Sequence, residues 1–103
     1  MTVIVAGPDE YGIADAITAE GLAVERVDIA NQEHLDSAGV ETATAYVLTE
    51  MAQATSIPVA KEANPDLHVV VYADGSLPDF ARGQADLVLD PALFDPADVA
   101  AEL

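Results

Sequence analysis

The chain has no cysteine and no tryptophan, and only three cationic side chains, Arg26, Lys61 and Arg82, in 103 residues. Without thiols it has no disulfides, no thiolate catalysis and no cysteine-ligated zinc. So few cations rule against direct nucleic-acid binding, because phosphates would meet no counter-charge. No apolar run approaches the roughly 20 residues that cross a bilayer, and the start lacks a basic region followed by an apolar signal core. The expectation is therefore a cytoplasmic protein with no direct membrane insertion. The two histidines, His34 and His68, have no partner of ligand type one helical turn away, so no transition-metal site is expected. No G-x-S-x-G elbow or paired base accompanies the serines and threonines, and catalysis finds no motif here.

What is present is a core and a large excess of one charge. Hydrophobic residues make up 51% of the chain, enough for one compact domain. Nineteen acids give a formal net charge of −16. They are scattered evenly: residues 1–51 hold ten acids and one base, residues 52–103 nine acids and two bases. A block of acids would read as an interaction tail, whereas an even scatter reads as a solvated surface. In about 1 M salt the screening length is about 3 Å and self-repulsion is muted. The expected setting is a salt-adapted, halophilic one. The rival reading is an acidic mimic that binds a basic partner.

Strand and helix signals alternate along the chain. Strands are expected at Thr2–Ala6, Ala23–Val27, Ala45–Leu48, Leu67–Ala73 and Asp86–Leu89. Helices are expected over about 11–20, over 32–37 with Asn31 as cap and Gly39 as stop, and over about 95–102. Pro58 interrupts the helical pattern of residues 50–63, so that helix kinks or restarts near Ser56. Ser76-Leu77-Pro78-Asp79 reads as a capping pattern for a short helix ending near Arg82. This is an α/β fold: a three-layer, doubly wound, Rossmann-like parallel sheet of five strands, forming a single domain over residues 1–103. The expected strand order is 3-2-1-4-5, with a ligand crevice above the carboxyl ends of strands one and four.

The first strand leads into Gly7-Pro8-Asp9-Glu10-Tyr11-Gly12. Gly7 and Gly12 occupy the first and third glycine positions of a G-x-G-x-x-G dinucleotide loop, and Asp9 stands at the middle one. The middle glycine normally lets the backbone approach a pyrophosphate. A carboxylate there can instead cap the helix N–H groups itself. Asp28 follows Gly7 by 21 residues, where such loops place an acid for the ribose hydroxyls.

These features resemble the N-terminal, NAD-binding Rossmann domain of TrkA/RCK proteins, regulators of potassium transport. The resemblance rests on the loop from Gly7 to Gly12, on Asp28, and on Ala43-Thr44-Ala45-Tyr46-Val47-Leu48-Thr49. It also rests on the stretches from Ala60 to Val70 and from Gly83 to Pro91. The chain is similar as well to small haloarchaeal proteins of unknown function. The resemblance implies a non-enzymatic nucleotide-binding or regulatory module, linked to potassium homeostasis, with NAD or an adenine nucleotide as ligand. The candidate cofactor-binding residues are Gly7, Asp9, Gly12, Asp28, Thr49 and Asp74, with Glu50 and Gln53 beside them. No metal site and no catalytic residue are assigned.

Two alternatives stand beside this one. One is a protein-interaction module or homodimer with a degenerate nucleotide loop. The other is a metal-dependent phosphate-ester enzyme using the acids near strand ends: Asp9, Glu10, Asp28, Glu50, Asp74 and Asp90. A response-regulator receiver would also show clustered acids, but it needs a basic residue just after strand five, where Asp90-Pro91 stands.

Overall fold

The computed structural model describes residues 1–103. Five parallel strands form one sheet: β1 Thr2–Ala6, β2 Ala23–Val27, β3 Ala45–Leu48, β4 His68–Tyr72 and β5 Leu87–Leu89. The helices between and after them are α1 Ile13–Ala19, α2 Gln32–Ser37, α3 Ser56–Ala63, α4 Asp79–Arg82 and α5 Pro96–Ala101. None is long and apolar enough to cross a membrane.

The expected class holds, but the strand order is β2-β1-β3-β4-β5 rather than 3-2-1-4-5. Burial explains the difference. All four residues of β3 are buried, and so are four of five in β1 and in β4. A strand apolar on both sides needs neighbours and covering helices, so β3 takes an inner place. In β2, Glu25 and Arg26 are exposed, and charge of this kind suits a sheet edge. The chain runs outward from β1 to β2, returns past β1 to β3, and then proceeds to β4 and β5. The reversal point lies between β1 and β3, so the crevice belongs there and not between β1 and β4. This arrangement is the flavodoxin-like variant of the doubly wound sheet.

Strand alternation divides the core in two. Val3, Val5, Val47, Val70 and Tyr72 face α1 and α5, where Ile13, Ile17 and Val99 meet them. Ile4, Tyr46, Leu48, Val69 and Val71 face the other helices, meeting Leu35, Ile57, Ala60 and Ala81. Local signals set most helix bounds. The Asn31 side chain accepts the His34 N–H at 2.8 Å, and Gly39 ends the α2 segment in the left-handed region at φ 85°. Residues 51–53 form a separate 3-10 turn and α3 starts afresh at Ser56. Pro58 then falls in the first turn of α3, where its missing N–H leaves no bond unmade. Ser76 does not cap α4: that helix starts after Pro78 with no side-chain cap.

Two buried polar groups tie the layers together. Asn64 donates to the Val40 and Ala43 carbonyls at 3.0 and 2.9 Å, locking the turn after α3 to the turn before β3. The Tyr46 hydroxyl meets Ser56 Oγ at 2.7 Å, while Ser56 Oγ donates to the Gln53 carbonyl at 2.6 Å. Burial pushes the Tyr46 phenol up to about 12, against the opposing pull of the Ser56 hydrogen bond.

An unfolded tyrosine titrates near pH 10 and the folded one higher, so the native state holds more protons in between and stability falls as pH rises through that window. This contribution is complete below about pH 10 and its loss approaches roughly 2–3 kcal/mol near pH 12. Tyr46→Phe is expected to cost about 1 kcal/mol at neutral pH and to flatten the alkaline loss measured by urea unfolding. A residual slope remains, because burial also raises Tyr72. An alkaline profile identical to wild type would contradict this account.

Candidate functional site

The loop between β1 and α1 is built around close approach. Gly7 has φ 94°, and a Cβ there would lie 2.7 Å from Thr49 Oγ1 and 3.2 Å from Glu50 Cβ. Only glycine satisfies both the backbone and the space. The Gly7 N–H donates to the Val27 carbonyl at 2.9 Å. Gly12, at φ 75°, turns the chain into α1.

Asp9 occupies the anion position of this loop with its own side chain. Its Oδ1 accepts the Ile13 N–H at 2.7 Å and its Oδ2 the Ala14 N–H at 3.1 Å. Arg26 Nη1 stands 3.7 Å from the same Oδ2, and Nη2 donates to the Gly7 carbonyl at 3.3 Å. Parallel register makes this contact: Arg26 is paired with Val5, two residues before Gly7. The Asp9 side chain is 12% exposed. Two N–H groups at the start of α1, where a phosphate would be held, are thus bound by a carboxylate of the chain itself.

The loop after β3 is stitched to both neighbours. Thr49 Oγ1 reaches the Ala6 carbonyl at 2.9 Å and also the Pro8 carbonyl, across the loop. Gln53 accepts the Ala30 N–H at 2.7 Å and donates to the Asp28 carbonyl at 2.9 Å and to Glu50 at 3.0 Å. Its amide is fully used within the chain.

The six candidate residues do not share one surface. Thr49 and Asp74 line a crevice of about 240 Å³ at the strand reversal, with Pro8, Glu10, Tyr11, Glu50 and Met51. Gly7, Asp9 and Gly12 lie behind it in the loop. Asp28 is exposed and lines a different groove, with Arg26, Ile29 and His34. The acids near strand ends likewise disperse. Glu10, Glu50 and Asp74 share the crevice, Asp9 turns to α1, and Asp90 accepts the Ala92 N–H at 2.8 Å. No three acidic or histidine side chains are grouped to hold a metal ion. His34 Nδ1 contacts the Ile29 carbonyl at 2.7 Å, and His68 Nδ1 is 3.6 Å from Asp86.

The crevice is electronegative. The phenol of Tyr11 is raised above its ordinary range, first by the charge of Asp74, then by partial burial and by Glu10 and Asp90. Its ring meets Tyr72 edge-on, with centroids 5.8 Å apart. Sequence reasoning assigned no role to Tyr11 or Arg26. The register of β2 on β1 would have revealed Arg26, while Tyr11 depends on β4 reaching this end of the sheet.

Architecture and loop together define a flavodoxin-like α/β domain with an internally occupied anion position. Residues 3–103 match a family of unknown function (DUF7126), and the chain belongs to that family. No curated protein matches it. Among solved structures it is similar to an orphan response regulator of H. pylori, with TM-score 0.75, 15% identity, and coverage of 99% of this chain and 92% of that one. It is also similar to an atypical orphan response regulator described as revealing a phosphorylation-independent regulatory mechanism. That match has TM-score 0.73, 15% identity, and coverage of 99% and 91%. A TrkA-N domain of an Escherichia coli inner membrane protein matches with TM-score 0.59, 16% identity, and coverage of 89% and 88%. At such identities the fold alone is shared. The TrkA-N resemblance expected from sequence is therefore not specific, since response regulators superpose better.

Asp9→Ala should destabilise the domain by about 1–2 kcal/mol, as loss of a charged cap does, lowering Tm by about 4–8 °C per kcal/mol. Arg26→Ala should cost less, about 1 kcal/mol or under, because its pair with Asp9 is open to water. Thermal unfolding of both variants checks this ranking, and the reverse order would contradict the role given to Asp9.

Proposed function

We propose that this chain is a regulatory module that acts through protein contact and does not need a nucleotide in its glycine loop. The observation that carries this reading is the Asp9 carboxylate bound to the Ile13 and Ala14 N–H groups with Arg26 at its back. A phosphate would have to displace a covalently tethered anion and enter a mouth already carrying Glu10, Glu50 and Asp74. The fold is shared with response regulators, one of them described as phosphorylation-independent. Here Asp90-Pro91 follows β5 where a receiver needs a basic residue.

The surface fits a salt-rich setting. Each of the three cations is engaged within the chain: Arg26 with Asp9, Lys61 with Asp86, and Arg82 with Asp79. Nearly all the remaining acids are exposed with no cation beside them, so self-repulsion is relieved chiefly by dissolved salt.

Thermal unfolding in about 1 M KCl, with NADH, ATP and ATP–Mg²⁺ at millimolar concentration, tests the reading. The expected result is no change in Tm for the wild type. A ligand at ten times its Kd would add about 1.4 kcal/mol and raise Tm by about 6 °C or more, and such a rise would overturn the proposal in favour of a nucleotide-binding module. Asp9→Gly supplies the second arm: it should lower Tm, and a nucleotide response gained only in this variant marks Asp9 as the occupant of the loop.

A further inference from the structure

At the β5 edge, the sheet face shared with α1 and α5 is apolar and incompletely covered. β5 is an edge strand with β4 as its one neighbour. Its Leu87, Val88 and Leu89 backbone groups make no hydrogen bond outside the ladder to β4. The helix beside it, α5, packs chiefly on α1: Val99 and Ala100 are buried in the core that Leu87 and Leu89 only join from its border, half-buried. A groove of about 640 Å³ is left between β5 and α5. Leu87 and Leu89 form its floor, and Leu93 and Phe94 form one wall. Leu93 is 76% exposed and Phe94 40%. The wall is held in place, since the Phe94 carbonyl accepts the Tyr72 hydroxyl at 2.6 Å.

Charge selects the occupant. Asp98 of α5 and Glu102, which caps its end, stand on the rim of this groove. Neither is among the ion-paired acids, and all three cations of the chain are committed elsewhere. A second copy pairing through this face would bring two acidic rims together with no cation to offset them. A helix with an apolar stripe flanked by lysine or arginine meets both requirements, burying its stripe on Leu87, Leu89 and Leu93 and facing its cations to the rim. Resting on the reading of the chain as a contact module, we propose that the groove between β5 and α5 is the docking site for a basic amphipathic helix of a partner protein.

The probe is a fluorescein-labelled amphipathic peptide of leucine and lysine, about 14 residues long so that it spans about 21 Å. Its binding is followed by fluorescence anisotropy at about 0.15 M and about 1 M KCl. Wild type is expected to bind at both. Leu93→Asp should weaken binding about tenfold or more, equivalent to about 1.4 kcal/mol. Ile29→Asp adds the same charge at a residue 59% exposed beyond the opposite edge strand and should change binding by less than about twofold. Asp98→Asn with Glu102→Gln should weaken binding at the lower salt and have little effect at the higher. Amide shifts on titration should concentrate at residues 87–89, 93–94 and 98–102.

Equal losses in Leu93→Asp and Ile29→Asp, shifts centred elsewhere, or no binding by the wild type would overturn the proposal. So would a wild-type dimer, seen by light scattering, that Leu93→Asp dissociates, because the groove would then belong to a second copy. The nucleotide titration reads independently. A Tm rise with NADH removes the functional reading without touching the groove, and failed peptide binding with no nucleotide response removes the groove alone.

Discussion

The N–H groups at the start of α1 have to be satisfied, and in this chain they are satisfied from within. Asp9 binds those of Ile13 and Ala14, and the consequences spread outward from that contact. Its second oxygen pairs with Arg26 of β2, and Arg26 in turn holds the Gly7 carbonyl. With Gly7 fixed in the left-handed region, Thr49 can come close enough to bind the carbonyls on either side of it. Gln53 completes the seam by joining the turns after β2 and β3. A loop type that elsewhere waits for an anion is here a closed structural joint. Its buried and half-buried polar groups are paired with one another, which is how such groups are tolerated away from water.

The sheet order follows from a separate constraint, the need to cover β3 on both sides. Placing β3 next to β1 moves the strand reversal to that junction, and it brings Thr49, Glu50 and Met51 against the glycine loop. The same placement sends Asp28 to the outer edge with β2. The Asp28 side chain lines the outer groove, while its carbonyl is tied through Gln53 to Glu50 at the crevice.

Local chemistry was legible where local chemistry decides. Strands β1, β2 and β3, the Asn31 cap and the restart of α3 at Ser56 were all readable from residue type and spacing. The capacity of Asp9 to satisfy helix N–H groups was readable too. Strand order was not, because pairing between strands far apart in sequence leaves no periodicity. The clue lay in contrast: Glu25 and Arg26 mark β2 as an edge, while the uncharged run of β3 calls for two neighbours. The Ser76 pattern misled because Pro78 itself starts the helix and the serine side chain takes no part. Tyr11 was invisible because its setting is made by Asp74 and Tyr72, which arrive from β4 and the turn after it.

The three cations share one arrangement, and it bears on what the exterior can recognise. Arg26, Lys61 and Arg82 each bind a backbone carbonyl, of Gly7, Leu67 and Leu77 respectively, and each stands 3.6–3.7 Å from a carboxylate. Positive charge is thus spent on closing turns, and none is left to hold a partner. The charge left on the surface is almost all carboxylate, and the flank beside β5 carries an apolar groove. In about 1 M salt, attraction between charges fades within about 3 Å, so acids cannot steer a partner from a distance and act only on contact. For the proposed helix, apolar burial would then supply most of the affinity, and the rim charges would act in choosing among helices.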